Sequence, residues 1–259
     1  MAGAVRRMIV GTLSGAVRGT PRHPDGDRQQ RPRPDRPVKP AQPPALAVFV
    51  KTPGLSPIKT RLAAQIGADA ALAVFRASLE CVRAAVDVAA AAGLVVPYWA
   101  VAEASGVEHW PDWPTIAQAD ADLGERMRAI HAELQARHGA AILLGADAPL
   151  VTAGLLREVA HALAGPPTRV IVPALDGGFV LFGANADLAC DPWSRVPYGA
   201  RDTARQFLAA VGPSLPLVEH PTLPDLDEFE DLADIAARID GRASASLRAL
   251  KALAASLAA

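Results

Sequence analysis

Cysteine is nearly absent: Cys81 and Cys190 are the only two in 259 residues. Two are too few for a disulfide framework or a thiolate metal site, so both are expected to be reduced thiols. Aromatic residues make up 5% of the chain and the formal net charge is −1. Without a clustered basic face and stacking rings, no broad surface exists to neutralise a nucleic-acid backbone, which excludes nucleic acid as an expected partner. Long apolar runs are missing too. The longest candidate, AAVDVAAAAGLVVPYWAV, is broken by Asp87, Gly93 and Pro97, so no membrane partner is expected. The N-terminal RRMIVGTLSGAV is short, interrupted by Gly, Thr and Ser, and lacks a small-residue cleavage site. It is read as no export signal, which makes the expected location cytoplasmic. Internal repeats are lacking. His109, His131, His138, His161 and His220 are scattered without metal-ligand spacing, and no Ser-His-Asp or Cys-His grouping offers a nucleophile.

What is present is an apolar half, 51% of residues, enough to bury one sizeable core. Residues 1–44 hold nine Lys/Arg against three Asp, so a basic tail precedes an acidic body. The stretch from Gly19 to Pro44 is rich in Pro, Arg and Asp, cannot offset its ordering entropy by burial, and is expected to be disordered or an extended linker. A single domain is expected over 45–240, with a C-terminal helix over 241–259 packed on it or trailing it. The oligomeric state has no signature in the sequence.

After Pro44, strands and helices alternate. ALAVFV (45–50), LVVPYWAV (94–101), TIAQA (115–119), AILLGAD (141–147), RVIVPA (169–174), FVLFGA (179–184) and LPLV (215–218) read as strands. Leu62, Ile66, Leu72, Phe75, Leu79, Val82 and Val86 keep helical spacing around a break at Gly67, and Leu123, Met127, Ile130 and Leu134 form one helix face. Thr152 is placed to cap a helix carrying Leu155, Leu156, Val159 and Leu163. Further helices are expected over 200–211, 228–239 and 244–257. LDGG alone separates two strands, which implies a sharp bend there. The alternation predicts an α/β fold, a mostly parallel sheet covered on both faces.

KTPGLSPIKTR (51–61) follows the first strand. A nucleotide-binding P-loop requires Gly directly before Lys, whereas Ile58 stands there and Pro57 lacks a backbone donor. No G-x-G-x-x-G follows the strand either, so a Rossmann dinucleotide fold loses its main support. What remains is a Pro/Gly-rich turn leading to Lys59 and Arg61 at a helix start, where two cations and the helix N-terminus can face an anion. The competing reading is two solvated charges.

Ligands in open parallel sheets bind beyond the carboxyl ends of strands. Asp147 falls there, in a turn tightened by Gly145 and Pro149. It reads either as a ligand for a hard cation bridging phosphates, Mg²⁺ or Mn²⁺, or as a turn residue. In LPDLDEFEDL, Asp225 and Asp227 share a face of an extended segment and Asp227 and Asp231 would share a helix face. Either a metal or an acidic helix start explains them. Asp176, Gly177 and Gly178 permit close backbone approach to a ligand or simply form a hairpin. Asp122 and Glu125 have capping-box spacing.

FVKTPGLSPIKTRLA, QADADLGERM, LLGADAPL, PALDGGFVLFG and LPDLDEFEDL, in this order, resemble a glycosyltransferase-like family, domain of unknown function 2064. It lies in the nucleotide-diphospho-sugar transferase superfamily, and some of its members are arsenosugar-biosynthesis-type glycosyltransferases. The resemblance covers residues 45–240. It implies a GT-A-like three-layer α/β/α sandwich with a mostly parallel mixed sheet, and a metal-dependent transferase using a nucleotide or nucleotide sugar and a small-molecule acceptor. By the family pattern Lys51, Gly54, Lys59 and Arg61 match the basic loop, and Gly124, Glu125 and Arg126 the LGER block. Asp176, Gly177 and Gly178 match the sugar or acceptor block, and Asp147, Asp225 and Asp227 the residues for Mg²⁺ or Mn²⁺. Asp147, Lys59 and Arg61 are the expected catalytic groups. The chain departs from the family at Ala121, at GADAP, at Phe179 in place of a Tyr, and at DEFED. Acceptor identity therefore transfers least. Nucleotidyl transfer from an NTP to a phosphorylated small molecule, and a non-catalytic nucleotide-binding protein, are the alternatives.

Overall fold

The computed structural model describes residues 42–188 and 191–259. The tail expected over 1–44 lies outside them up to residue 41, as does Cys190. Among the described residues seven strands form one sheet: β1 (Ala45–Val50), β2 (Val96–Val101), β3 (Thr115–Ala117), β4 (Ala141–Gly145), β5 (Arg169–Pro173), β6 (Phe179–Ala184) and β7 (Leu217–Glu219). Their order is β3-β2-β1-β4-β6-β5-β7. All pairings are parallel except those of β6, which runs antiparallel to β4 and β5. The bend read at LDGG is a hairpin closed by Ala174 N–H to Gly178 O, 2.9 Å.

Helices α1 (Thr60–Ile66), α2 (Ala68–Ala91), α3 (Leu123–His138), α4 (Ala153–Leu163), α5 (Thr203–Val211), α6 (Phe229–Arg238) and α7 (Ala245–Leu257) complete the fold. Alternation along β1 sorts them. Leu46, Val48 and Val50 face a core shared with Phe75, Val82 and Val86 of α2 and Leu156 and Val159 of α4. Ala45 and Ala47 face Met127, Ile130 and Leu134 of α3, together with Phe182, Trp193 and Phe207. Small residues on that side leave room for α3 to lie against the strand. This is the three-layer α/β/α arrangement the sequence implied.

A third cluster lies outside the sandwich: Leu62 of α1, Val74 and Cys81 of α2, Leu232 and Ile235 of α6, and Leu250 of α7. The C-terminal helix thus packs as a further layer over α2. Cys81 is buried, and burial pushes its thiol up to about 11, which makes it inert. Thr152 and Asp122 cap α4 and α3 as expected, accepting from Leu155 N–H at 3.1 Å and Glu125 N–H at 2.9 Å. Two short 3₁₀ turns, Ala104–His109 and Trp193–Arg195, carry no periodic signal and were not expected.

Candidate active site: a cation between two carboxylates

The carboxyl ends of β1 and β4 and the amino end of the reversed β6 open into a cleft of about 610 Å³. Phe49, Leu123, Met127 and Phe179 give it apolar walls, while Lys51, Lys59, Arg61, Arg126, Asp147 and Asp227 line it with charge. β6 contributes its amino end here because it runs antiparallel to β4 and β5.

The basic loop is anchored from below. Thr52, 1% exposed, donates its N–H to Glu103 Oε2 at 2.8 Å and accepts at Oγ1 from Trp110 Nε1–H at 2.9 Å. Its carbonyl accepts from Leu55 N–H and Ser56 N–H. The Glu103 carboxyl titrates below its usual range: burial opposes this, and the Ser56 and Thr52 hydrogen bonds outweigh it. Fifty-one residues separate Glu103 from Thr52, and no local pattern could have pointed to it.

Lys59 precedes α1 with φ 43° and ψ 56°, left-handed values for a side chain with a Cβ, a conformation that costs about 1–2 kcal/mol. Its ammonium is 2.9 Å from Asp147 Oδ2 and 2.7 Å from Asp227 Oδ1, with the side chain only 10% exposed. Asp147 sits in the turn after β4, and its carbonyl accepts from Leu226 N–H at 3.0 Å, which ties the late acidic segment to the β4 turn. Asp231 Oδ2 accepts from Asp227 N–H and Glu228 N–H. The late acidic cluster therefore does two jobs: Asp231 caps α6, and Asp227 turns to Lys59. The shared helix face expected for that pair is absent, because Asp227 lies ahead of the helix.

Burial works against the charge on Lys59, but the Asp147 and Asp227 carboxylates overcome it and raise its pKa. Burial likewise works against the Asp147 charge, and Lys59 overcomes it, leaving the carboxyl below its usual range. Lys59 and Asp147 therefore both stay ionised at neutral pH. Asp225 differs. Burial, then the charges of Asp176, Asp147 and Asp227, push its carboxyl up to about 6.

The other expected residues divide. Lys51, Arg61 and Arg126 line the cleft, with Arg61 Nη1 3.8 Å from Asp227 and largely exposed. Arg126 Nε–H donates to Ala121 O at 2.6 Å. Gly54 is in the turn of the basic loop but not in the cleft lining, and Asp225 is not among the lining residues either. Glu125 lies on the exposed start of α3, paired with Arg128 at 2.6 Å instead of closing a capping box. A Cβ at Gly124 would stand 2.3 Å from Trp193 O, and one at Gly177, where φ is +95°, only 1.9 Å from Arg201 O. Backbone packing accounts for both glycines without a ligand. Asp176 Oδ1 accepts from Gly178 N–H at 2.7 Å within the hairpin turn. Gln118, Leu123 and Met127 also line the cleft; they belong to the QADADLGERM block but were given no role at the site.

Among the described residues, no three His, Cys, Asp or Glu side chains form a ready metal set. The donor chemistry nevertheless suits a hard cation that keeps water or phosphate oxygens: two carboxylates converge on one point, and the Lys59 ammonium stands there as a positive charge.

A family described as an uncharacterized protein conserved in bacteria, DUF2064, matches this chain in its central part. Residues 75–200 match DUF2064. The resemblance carried by the sequence blocks is thereby borne out. The DUF2064 match runs from within α2 to just before α5 and includes Asp147, whereas Lys59 and Asp227 fall outside it. No curated protein matches the sequence. Among solved structures, a protein of Desulfovibrio desulfuricans G20, provisionally named a nucleotide-diphospho-sugar transferase, is 24% identical. It matches over 82% of this chain and 97% of its own, with a TM-score of 0.66. The manganese complex of Rv0371c from Mycobacterium tuberculosis H37Rv is 12% identical over 76% of this chain and 100% of its own, TM-score 0.45. The 4-diphosphocytidyl-2C-methyl-D-erythritol synthase of Anaerococcus prevotii DSM 20548 is 9% identical over 73% and 94%, TM-score 0.45. The Desulfovibrio likeness establishes the nucleotide-diphospho-sugar transferase-like fold; the two looser ones add nothing further. Among the described residues no helix is long and apolar enough to cross a membrane.

Proposed function

We propose that the cleft is the active site of a metal-dependent transferase that takes a nucleotide-activated substrate, transferring a sugar from a nucleotide sugar to a small acceptor. The observation that carries this reading is the Lys59–Asp147–Asp227 ion-pair cluster at the mouth of the strands, with Lys51, Arg61 and Arg126 around the same opening. A nucleoside diphosphate carries two to three negative charges, and these cations match it at the cleft mouth. Phe49, Leu123, Met127 and Phe179 supply an apolar wall for a base or sugar and keep water from that side.

Asp147 and Asp227 would hold Mg²⁺ or Mn²⁺, with Asp225, whose carboxyl feels the charge of both, as the further carboxylate. The metal supplies neutralisation of the leaving diphosphate. The chain's own part is electrostatic and positional: Arg61 and Lys51 hold phosphate oxygens, and Glu103, through Thr52, fixes the loop that presents them.

Four cationic side chains around one cleft also suit a triphosphate, which favours nucleotidyl transfer as a second reading. Incubation with nucleoside triphosphates and with nucleotide sugars separates the two. Release of nucleoside diphosphate from a nucleotide sugar supports glycosyl transfer, and pyrophosphate release alone rejects it. A thermal-shift series with UDP-, GDP-, ADP- and CTP-type ligands, with and without Mn²⁺, identifies the nucleotide. If no nucleotide raises the melting temperature under either condition, the transferase reading fails.

A further inference from the structure

The two carboxylates that the functional reading gives to a divalent cation are already engaged. Lys59 Nζ lies 2.9 Å from one and 2.7 Å from the other. An ammonium and a divalent cation cannot both keep contacts that short on the same oxygens, because their mutual repulsion in a partly buried site is large. We infer that Lys59 is a resident counter-ion for the metal position, which the cation gains only by displacing it. The displaced ammonium, still charged, needs a new anion, and the phosphates of an incoming nucleotide supply it. This rests on the proposed function for the identity of that anion.

Three features of the chain favour such an exchange. The lysine head sits on a flexible four-carbon stem, which lets it swing to a neighbouring partner without moving the backbone. Two carboxylates are too few to satisfy a hexacoordinate cation, and no third protein ligand completes a set among the described residues. The remaining ligands must come from phosphate or water. Arg61, by contrast, is 3.8 Å from Asp227 and 69% exposed, so it adds to the local field without occupying the position. Metal and nucleotide then bind weakly alone and tightly together, each raising the affinity for the other by the same factor.

Calorimetric titration of the full chain with Mn²⁺ alone, without nucleotide, tests this. Lys59→Gln should bind Mn²⁺ at least tenfold more tightly than the unmodified protein. Lys59→Asn should do the same, and it guards against misfolding because Asn tolerates the left-handed backbone at this site. Arg61→Gln, which removes an equal charge, should change affinity less than threefold, and adding Asp147→Asn to Lys59→Gln should erase the gain. Circular dichroism melting confirms that each variant folds. Unchanged or weaker Mn²⁺ binding in the folded Lys59 variants overturns the inference, and so does an equal gain in Arg61→Gln, which would reduce the effect to a general field. The outcomes also separate the two claims. Tighter Mn²⁺ binding with no nucleotide binding in any variant leaves the exchange standing and removes the transferase. Nucleotide binding without the gain removes only the exchange.

Discussion

At the cleft, Lys59 is held between two carboxylates; in the body of the sandwich, His131 of α3 and Arg169 of β5 are just as deeply buried with polar nitrogens left over. His131 is 3% exposed, packs between Phe182 and Trp193, and its Nε2 finds no partner. Arg169 is 6% exposed, and its Nε and Nη1 find none among the described residues. The consequences diverge. Paired burial drives Lys59 and Asp147 further into their charged forms, whereas unpaired burial pushes His131 down to about 4 and Arg169 below its ordinary range. Low dielectric amplifies whichever situation the neighbours create. The core keeps His131 neutral and gives Arg169 no counter-charge among the described residues, whereas the cleft sets two carboxylates against its buried ammonium.

The contrast breaks most visibly at Asp147. Asp147→Asn strips Lys59 of one partner. We expect about 3 kcal/mol lost in urea unfolding, the lower end for a buried pair because Asp147 is itself partly solvated. Nucleotide-dependent turnover should fall at least a hundredfold. An intact unfolding midpoint would mean the pair is not a buried one in energetic terms.

His131 gives a pH-dependent effect of similar size. Its folded pKa lies below the unfolded value, so between pH 6.5 and about 4 the unfolded chain binds the extra proton, and stability falls as the pH is lowered through that window. Integrated over the window the loss is about 3 kcal/mol. His131→Phe should flatten the unfolding free energy over this range, and an unchanged acid slope would show that another group is responsible.

Glu103→Gln keeps the shape but removes the charge that accepts from Thr52 N–H. It should cost about 1–2 kcal/mol, the worth of a charge-assisted hydrogen bond, and weaken nucleotide binding in the thermal-shift series. Arg169 marks the small end of the scale. Replacing a buried cation that has no carboxylate with an apolar side chain of similar length is expected to be neutral or stabilising by about 1 kcal/mol, so Arg169→Met should unfold at the same or a higher urea concentration. A loss above that size would reveal a partner for Arg169.

Much of the scaffold was legible in the chain. Apolar runs of strand length alternating with 3.6-period faces gave an α/β sandwich, LDGG gave the hairpin, and Thr152 and Asp122 gave helix starts. These are local signals, set within a few residues by backbone geometry and capping. The cleft was half legible. Lys59 was marked by its place at a helix start and Asp147 by its place at a strand end, but Glu103 carried no sign, and Gln118 and Met127 none of a place in the cleft, because those roles depend on contacts made across the fold. Gly124 and Gly177 read as ligand-approach positions, and the structure accounts for both by the approach of the Trp193 and Arg201 backbones.

The sequence by itself determined the element types, the separation of a basic N-terminal stretch from an acidic body, and which side chains were available to carry charge. Only the tertiary structure decided that Lys59 meets Asp147 and Asp227, 88 and 168 residues away. Pairing across such distances follows from strand order and the packing of α1 and α6, and these emerge only when the whole core closes.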